Sequence, residues 1–318
     1  MEKNYDVNNN KPLLSICIPT YNRAKYLENT LDSIVQNSVF NNRIEIVISD
    51  NASTDNTREL CENYSSKYSN IYYYRNDKNL HDENFPIVLS KGHGVYRKIA
   101  NDRYIFRRNS LLDLVSIIER YKDTKPNIYF SNISSIHRIV KLKEIERLSF
   151  KEFVLKIGER AINLLHFGLW DIECENILND ITSTKLQLWQ LDKIFRLVYE
   201  KRSIIIYNKL LFEFQNVENK DTTYNIYNVF HDNYLKIVSK YKNQLSKSDM
   251  YEVEKKILMD TLVAFAVLYN SKDTYLKFNE SEDLNKEIYD GYHDKAYYPE
   301  YKFRLFFKKQ YSKLRKIL

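Results

Sequence analysis

The run Leu13-Leu14-Ser15-Ile16-Cys17-Ile18 is apolar, partly β-branched, and stops at Pro19. A run too short for a helix, halted by a residue without a backbone N–H, predicts a buried strand that ends in a loop. From Arg23 to Gln36 the apolar positions Tyr26, Leu27, Leu31, Ile34 and Val35 recur at helical spacing, and Ile44-Glu45-Ile46-Val47-Ile48 is a second strand-like run. The theme then repeats. Asp50-Asn51-Ala52-Ser53-Thr54-Asp55 holds helix-capping residues, a helix follows towards Tyr68, and Ile71-Tyr72-Tyr73-Tyr74 reads as a third strand. Alternation of this kind implies a parallel sheet covered by helices on both faces. In such sheets ligands bind beyond the carboxyl ends of the strands, so the loops Pro19–Asn22 and Asp50–Asp55 are expected to converge on one site.

Further on, Gly94 to Ala100 predicts a strand, Asn101-Asp102-Arg103 a polar interruption, Asn109 to Tyr121 a helix and Pro126 to Phe130 another strand. Beyond about residue 145 the pattern reads as long charged helical stretches, notably Tyr227–Tyr241 and Ser248–Tyr269. The expected fold class is α/β: a Rossmann-type, mostly parallel sheet flanked by helices, with a helical C-terminal extension. The expected division is 1–219, with halves at about 13–120 and 121–219, then a helical region at 220–318.

Composition narrows the chemistry. Hydrophobic residues at 43% and only 5 Gly and 5 Pro in 318 residues indicate a folded body rather than a low-complexity chain. Cys17, Cys61 and Cys174 lack any C-x-x-C spacing, and His81, His93, His137, His166, His231 and His293 form no ligand pattern, so neither a disulfide framework nor a zinc site is expected. No apolar leader and no run of about 18 apolar residues occur, which points to a cytoplasmic chain. Signatures of dinucleotide enzymes, P-loop NTPases, serine hydrolases and zincins are absent. A formal charge of +7 favours an anionic partner. For nucleic acid, charge and abundant Tyr are the whole support, and it is not expected as a partner. At the end of the chain, Phe303, Phe306, Phe307, Tyr311, Leu314, Ile317 and Leu318 share one helical face, and Lys302, Arg304, Lys308, Lys309, Lys313, Arg315 and Lys316 cover the other. Residues 301–318 therefore suit either an anionic membrane surface or docking onto the body through the aromatic face.

The order strand, Pro19-Thr20-Tyr21-Asn22, helix, strand, then Asp50-Asn51-Ala52-Ser53-Thr54-Asp55-Asn56-Thr57, resembles the opening of family 2 glycosyltransferases with the GT-A fold. Asn79, Asn84, Gly94 and Tyr96 match later landmarks of that family more loosely. The resemblance implies that Pro19, Thr20, Tyr21, Asn22 and Arg23 line a nucleotide-sugar pocket in which Asp50 and Asn51 hold the base or ribose. Asp55, by contrast, reads as a helix cap. In the family an Asp-x-Asp-like motif follows Gly-x-Tyr and holds a divalent cation, Mn2+ or Mg2+, on the diphosphate. Here the positions read Asn101-Asp102-Arg103, similar to an Asn-Asp variant in a subgroup that includes abequosyltransferase-like enzymes. Asp102 is the one carboxylate left to ligate a metal, and Arg103 occupies an outer position, where a guanidinium could take over part of the cation's task.

By the same resemblance the reaction is an inverting sugar transfer from a nucleotide-sugar donor to a hydroxyl of a lipid-linked surface-polysaccharide acceptor, at the inner face of the membrane. Such a transfer needs a base, expected after the donor half. Asp192, beside Trp189, is the first choice, with Asp171 and Glu173 as further candidates. The alternatives are a catalytically silent nucleotide-binding module of the same fold and a nucleotidyltransferase, although Pro19-Thr20-Tyr21-Asn22-Arg23 is not the Gly-rich basic signature of the latter.

Overall fold

A computed structural model describes residues 11–131, 142–215, 220–221, 224–271, 276–279 and 281–314. Contacts divide the chain into two compact units, one formed by 1–150, 163–185 and 189–216, the other by 151–162, 186–188 and 217–318.

In the first unit the chain runs β1 (Leu14–Thr20), α1 (Ala24–Val35), β2 (Ile44–Asp50), α2 (Thr57–Lys67), β3 (Ile71–Arg75), α3 (Asn84–Ser90) and β4 (Tyr96–Ile99). It continues through β5 (Tyr104–Phe106), α4 (Ser110–Tyr121), β6 (Asn127–Ser131), β7 (Ile145–Ser149), α5 (Phe150–Lys156, which passes into the second unit), β8 (Gly168–Trp170), α6 (Asp171–Leu178), α7 (Trp189–Lys201), β9 (Ser203–Asn208) and β10 (Phe212–Phe214). The main sheet has the order β3-β2-β1-β4-β8, parallel except for β8. Both β1 and β2 are buried almost throughout, as expected of strands covered on both faces. Helix α1 packs through Leu27, Thr30, Leu31 and Ile34, one stripe at helical spacing.

Register makes the carboxyl ends level: Thr20 lies opposite Asp50, and Asp50 opposite Arg75. The amino edge is closed by a clamp. Buried Glu45 accepts from Ser15 Oγ and from the His93 backbone N–H, both at 2.6 Å, and Ser15 Oγ in turn accepts from the Gly94 N–H at 2.7 Å. A Cβ on Gly94 would stand 2.6 Å from the Ser15 backbone nitrogen, which explains glycine at this landmark. Tyr96 packs edge-on against Trp170 of β8, with ring centroids 4.8 Å apart.

The expectation of helices beyond residue 145 is corrected for this unit. Strands β7, β8, β9 and β10 all lie there; β9 pairs with β6 in parallel and with β7 in antiparallel, while β10 pairs with β5. Three of these strands are short, and β9 is an unalternating apolar run, so none carries the period-2 signal that distinguishes strand from helix.

The second unit is mainly helical, with α8 (Tyr234–Ser239), α9 (Lys247–Lys256), α10 (Val263–Tyr269), α11 (Leu284–Tyr292) and α12 (Tyr298–Leu314), and a short parallel pair β11 (Lys220–Asp221) and β12 (Leu276–Lys277). On α12, Tyr301 is buried, whereas Phe303, Phe306 and Phe307 are 65%, 56% and 53% exposed. The side chains from Tyr311 onward, and residues 315–318 altogether, lie outside the described residues, as does His137. Among the described residues no helix is long and apolar enough to cross a membrane.

Candidate active site

The two loops singled out in the sequence are joined at the carboxyl edge of the sheet. Asn22 donates its backbone N–H to Ser53 Oγ at 2.8 Å, and its side-chain oxygen accepts from the Thr54 N–H at 2.7 Å. Asp55 caps α2 by accepting from the Thr57 N–H, as expected, and its second oxygen also accepts from the Ala24 N–H in the first turn of α1. The crossing requires sharp reversals: Asn22 and Ala52 have φ of 51° and 63°. Asn tolerates that region; alanine does so only under strain.

Asp50 and Asn51 are both buried, and their polar atoms are committed within the chain. Asp50 Oδ1 accepts from the Ser53 N–H at 2.8 Å, while Oδ2 accepts from Tyr73 Oη at 2.9 Å and from Arg75 at 2.6 Å. Asn51 Oδ1 accepts from the Leu80 N–H and from Asn76, and its amide donates to Asn79 Oδ1 and the His81 carbonyl. Asn76 also reaches Asn84 Oδ1, which accepts from Ser49 Oγ. In this structure Asp50 and Asn51 hold Arg75 and the segment 79–81, and a direct hold on base or ribose remains an expectation.

Thr20 Oγ1 donates to Asp102 Oδ2 at 2.8 Å, joining the ends of β1 and β4. Burial pushes the Asp102 carboxyl up, against the pull of Arg23, of the Thr20 hydroxyl and of Arg103. Asn101 Oδ1 accepts from the Arg103 N–H at 3.1 Å, and the Arg103 carbonyl accepts from the Gln215 N–H at 3.2 Å, so the tripeptide is fixed against β10. The Arg103 guanidinium lies 5.5 Å from the Phe214 ring centre, and that of Arg23 lies 5.9 Å from the Tyr26 ring centre. The ring of Tyr21 is 42% exposed.

A divalent cation fits these residues poorly. Asp102 is a single carboxylate already receiving a hydroxyl and flanked by two guanidinium groups, and among the described residues no three His, Cys, Asp or Glu gather as a ligand set. A metal on a nucleotide diphosphate needs only one or two protein carboxylates beside the phosphate oxygens, so the lone Asp102 is at the minimum, and two neighbouring cations repel a third. Asp102 as a metal ligand remains an expectation, opposed by its two guanidinium neighbours.

The three proposed catalytic carboxylates separate. Strand β8 runs antiparallel to β4 with Trp170 opposite Tyr96, so Asp171 and Glu173 stand at the amino edge, away from the loops. Asp171 is paired with Lys11 at 2.5 Å and Lys125 at 2.8 Å; burial raises its carboxyl, but those two lysines overcome this and hold it below the usual range. Glu173 accepts from the Trp170 N–H at 3.1 Å and pairs with Lys201, as a helix-start carboxylate does. Both are corrected to structural roles. Asp192 is different. The Ile99 N–H at the carboxyl end of β4 donates to the Phe167 carbonyl, the Phe167 ring packs on Trp189 at 5.4 Å, and Trp189 opens α7 with Asp192 in its first turn. Asp192 is buried, with Lys193 Nζ 3.2 Å away.

Sequence reasoning missed Tyr73, Arg75 and Asp82. The level strand ends that bring Arg75 to the site are invisible in one sequence. Asp82 follows the turn at His81, φ 49°, and burial pushes its carboxyl up to about 6.

A mostly parallel α/β sheet whose loops meet beyond its carboxyl ends is a fold of the GT-A type, and solved structures agree. TarS 1-349 from S. aureus, in complex with UDP-GlcNAc, superposes with a TM-score of 0.57 at 14% identity over 92% of this chain and 79% of that one. The mannosyltransferase PcManGT from Pyrobaculum calidifontis, in complex with GDP-Man and Mn2+, gives 0.54 at 13% over 98% and 91%. Residues 15–155 match the family model described as Glycosyl transferase family 2. Abequosyltransferase RfbV of Salmonella typhimurium is 43% identical over 119 residues, 37% of this chain and 34% of that protein. A validoxylamine A glucosyltransferase of Streptomyces hygroscopicus subsp. jinggangensis is 39% identical over 66 residues, 21% of this chain and 16% of that protein. These matches thus span about a third or less of the curated relatives' length.

Proposed function

We propose that the chain is an inverting glycosyltransferase that moves a sugar from a nucleotide-sugar donor to a hydroxyl of a lipid-linked glycan in surface-polysaccharide synthesis, capsule or lipopolysaccharide. The observation that carries the reading is the arrangement at the carboxyl edge. The Pro19–Asn22 and Asp50–Asp55 loops meet there, beside Arg75 held by Asp50 and the ring-braced Arg23 and Arg103 that follow β1 and β4, and Asp192 is the carboxylate assigned as base. The acceptor oxygen forms the new bond at the anomeric carbon as the bond to the nucleoside diphosphate breaks with its electron pair on phosphate oxygen. Asp192 takes the acceptor proton. Residues of about 13–120 bind the donor and 121–219 the acceptor, and 220–318 form a helical extension.

The exposed Phe303, Phe306 and Phe307 beside Lys302, Arg304 and Lys308 support a peripheral hold on an anionic membrane at the cytoplasmic face. Flotation with anionic liposomes should be lost on deleting 301–318, and retention of flotation would refute that hold. The activity itself is tested with UDP-, CDP-, dTDP- and GDP-sugars and extracted glycolipid. Release of nucleoside diphosphate only when glycolipid is present supports transfer. The degenerate Asn101-Asp102-Arg103 motif favours a second reading, a silent nucleotide-binding module, which predicts binding with neither hydrolysis nor transfer.

A further inference from the structure

Arg23 and Arg103 both act on Asp102, yet among the described residues neither guanidinium lies within salt-bridge distance of a carboxylate, whereas Arg43, Arg58, Arg75, Arg107 and Arg196 of the same unit are paired. Both are half-buried and each is braced by an aromatic ring, Tyr26 or Phe214, which limits the entropy lost when a ligand is bound. Their backbones are tied as well: the Arg23 N–H donates to Thr57 Oγ1, and Arg103 is held by Asn101 and Gln215. Unpaired guanidinium groups held ready at a strand-end loop fit phosphate oxygens, which each can take bidentately.

We propose that Arg23 and Arg103 together grip the diphosphate of the donor and that no divalent cation is needed for it to bind. The proposal rests on the nucleotide-sugar reading above and deepens it. Asp102, held by Thr20, then draws the two guanidinium groups towards one place. Diphosphate recognition by two fixed cations predicts that the second phosphate carries the affinity and that chelators leave it intact.

The test is calorimetric titration of the full chain with UDP, CDP, dTDP and GDP and with the matching monophosphates, in EDTA and in Mn2+. One diphosphate should bind at least about tenfold tighter than its monophosphate in EDTA, and Mn2+ should change that affinity by less than about threefold. Arg23→Gln and Arg103→Gln should each remove most of the diphosphate's advantage, Arg103→Lys should restore part of it, and melting temperatures should confirm that the variants fold. Binding that appears only with Mn2+ overturns the proposal while leaving the nucleotide reading intact. Binding of no nucleotide under either condition overturns both.

Discussion

Arg75 Nη1 donates to Asp50 Oδ2 at 2.6 Å, joining a fully buried carboxylate to a guanidinium that is 34% exposed. The pair links the ends of β2 and β3 and leaves part of the guanidinium available at the edge. Removing the cation strands a buried charge that only Tyr73 and the Ser53 N–H still satisfy. Arg75→Ala should therefore cost about 2–3 kcal/mol, below the usual range for breaking a buried pair because the arginine is partly solvated. Urea unfolding measures it, and a loss under about 0.5 kcal/mol would mean that Tyr73 and the turn suffice.

Ala52 lies in the left-handed region, φ 63°, between Asn51 and Ser53. A Cβ there costs about 1–2 kcal/mol, partly offset by the greater freedom that glycine gives the unfolded chain. Ala52→Gly is expected to raise stability by roughly 0.5 kcal/mol without altering nucleotide binding. A lower melting temperature would show that the loop is unstrained.

How much of this was legible in the sequence follows from the range of each interaction. Leu14–Ile18, Ile44–Ile48 and the helix of Leu27, Leu31 and Ile34 declare themselves because a period is local. The convergence of Asn22 with Ser53 followed from topology alone, since β1 and β2 are adjacent and parallel. What could not be read was where side chains spend their hydrogen bonds. Asp50 looked available because it is polar and at a strand end, and its burial depends on Tyr73 and Arg75 in a strand whose register one sequence does not reveal. Asp171 and Glu173 misled for the same reason: β8 runs against the sheet and carries them to the amino edge.

Asp82 offers a pH test. The model-compound value is 3.8 and burial brings the folded value to about 6, so the folded chain holds this proton more tightly than the unfolded chain. The stability it contributes is complete below about pH 4 and is lost as pH rises through 6. Asp82→Asn should match the parent at pH 4 and exceed it by about 1 kcal/mol at pH 7. Equal stabilities at both pH values would show that the carboxylate is well solvated.

Asp192 is buried in the first turn of α7 with Trp189, whereas Asp171 is committed to Lys11 and Lys125 at the amino edge of the sheet. If Asp192 takes the acceptor proton, Asp192→Asn keeps the shape and loses the base, so kcat should fall about 10²- to 10⁴-fold with donor binding unchanged. Asp171→Asn should leave kcat within about twofold and lower stability instead, because it leaves two lysines without their partner. The two variants separate a chemical role from a structural one: donor affinity by calorimetry and turnover by nucleotide release must diverge for Asp192 and stay together for Asp171. A fall in donor affinity that accounts for all the lost turnover of Asp192→Asn would remove it as the base and return it to holding Lys193.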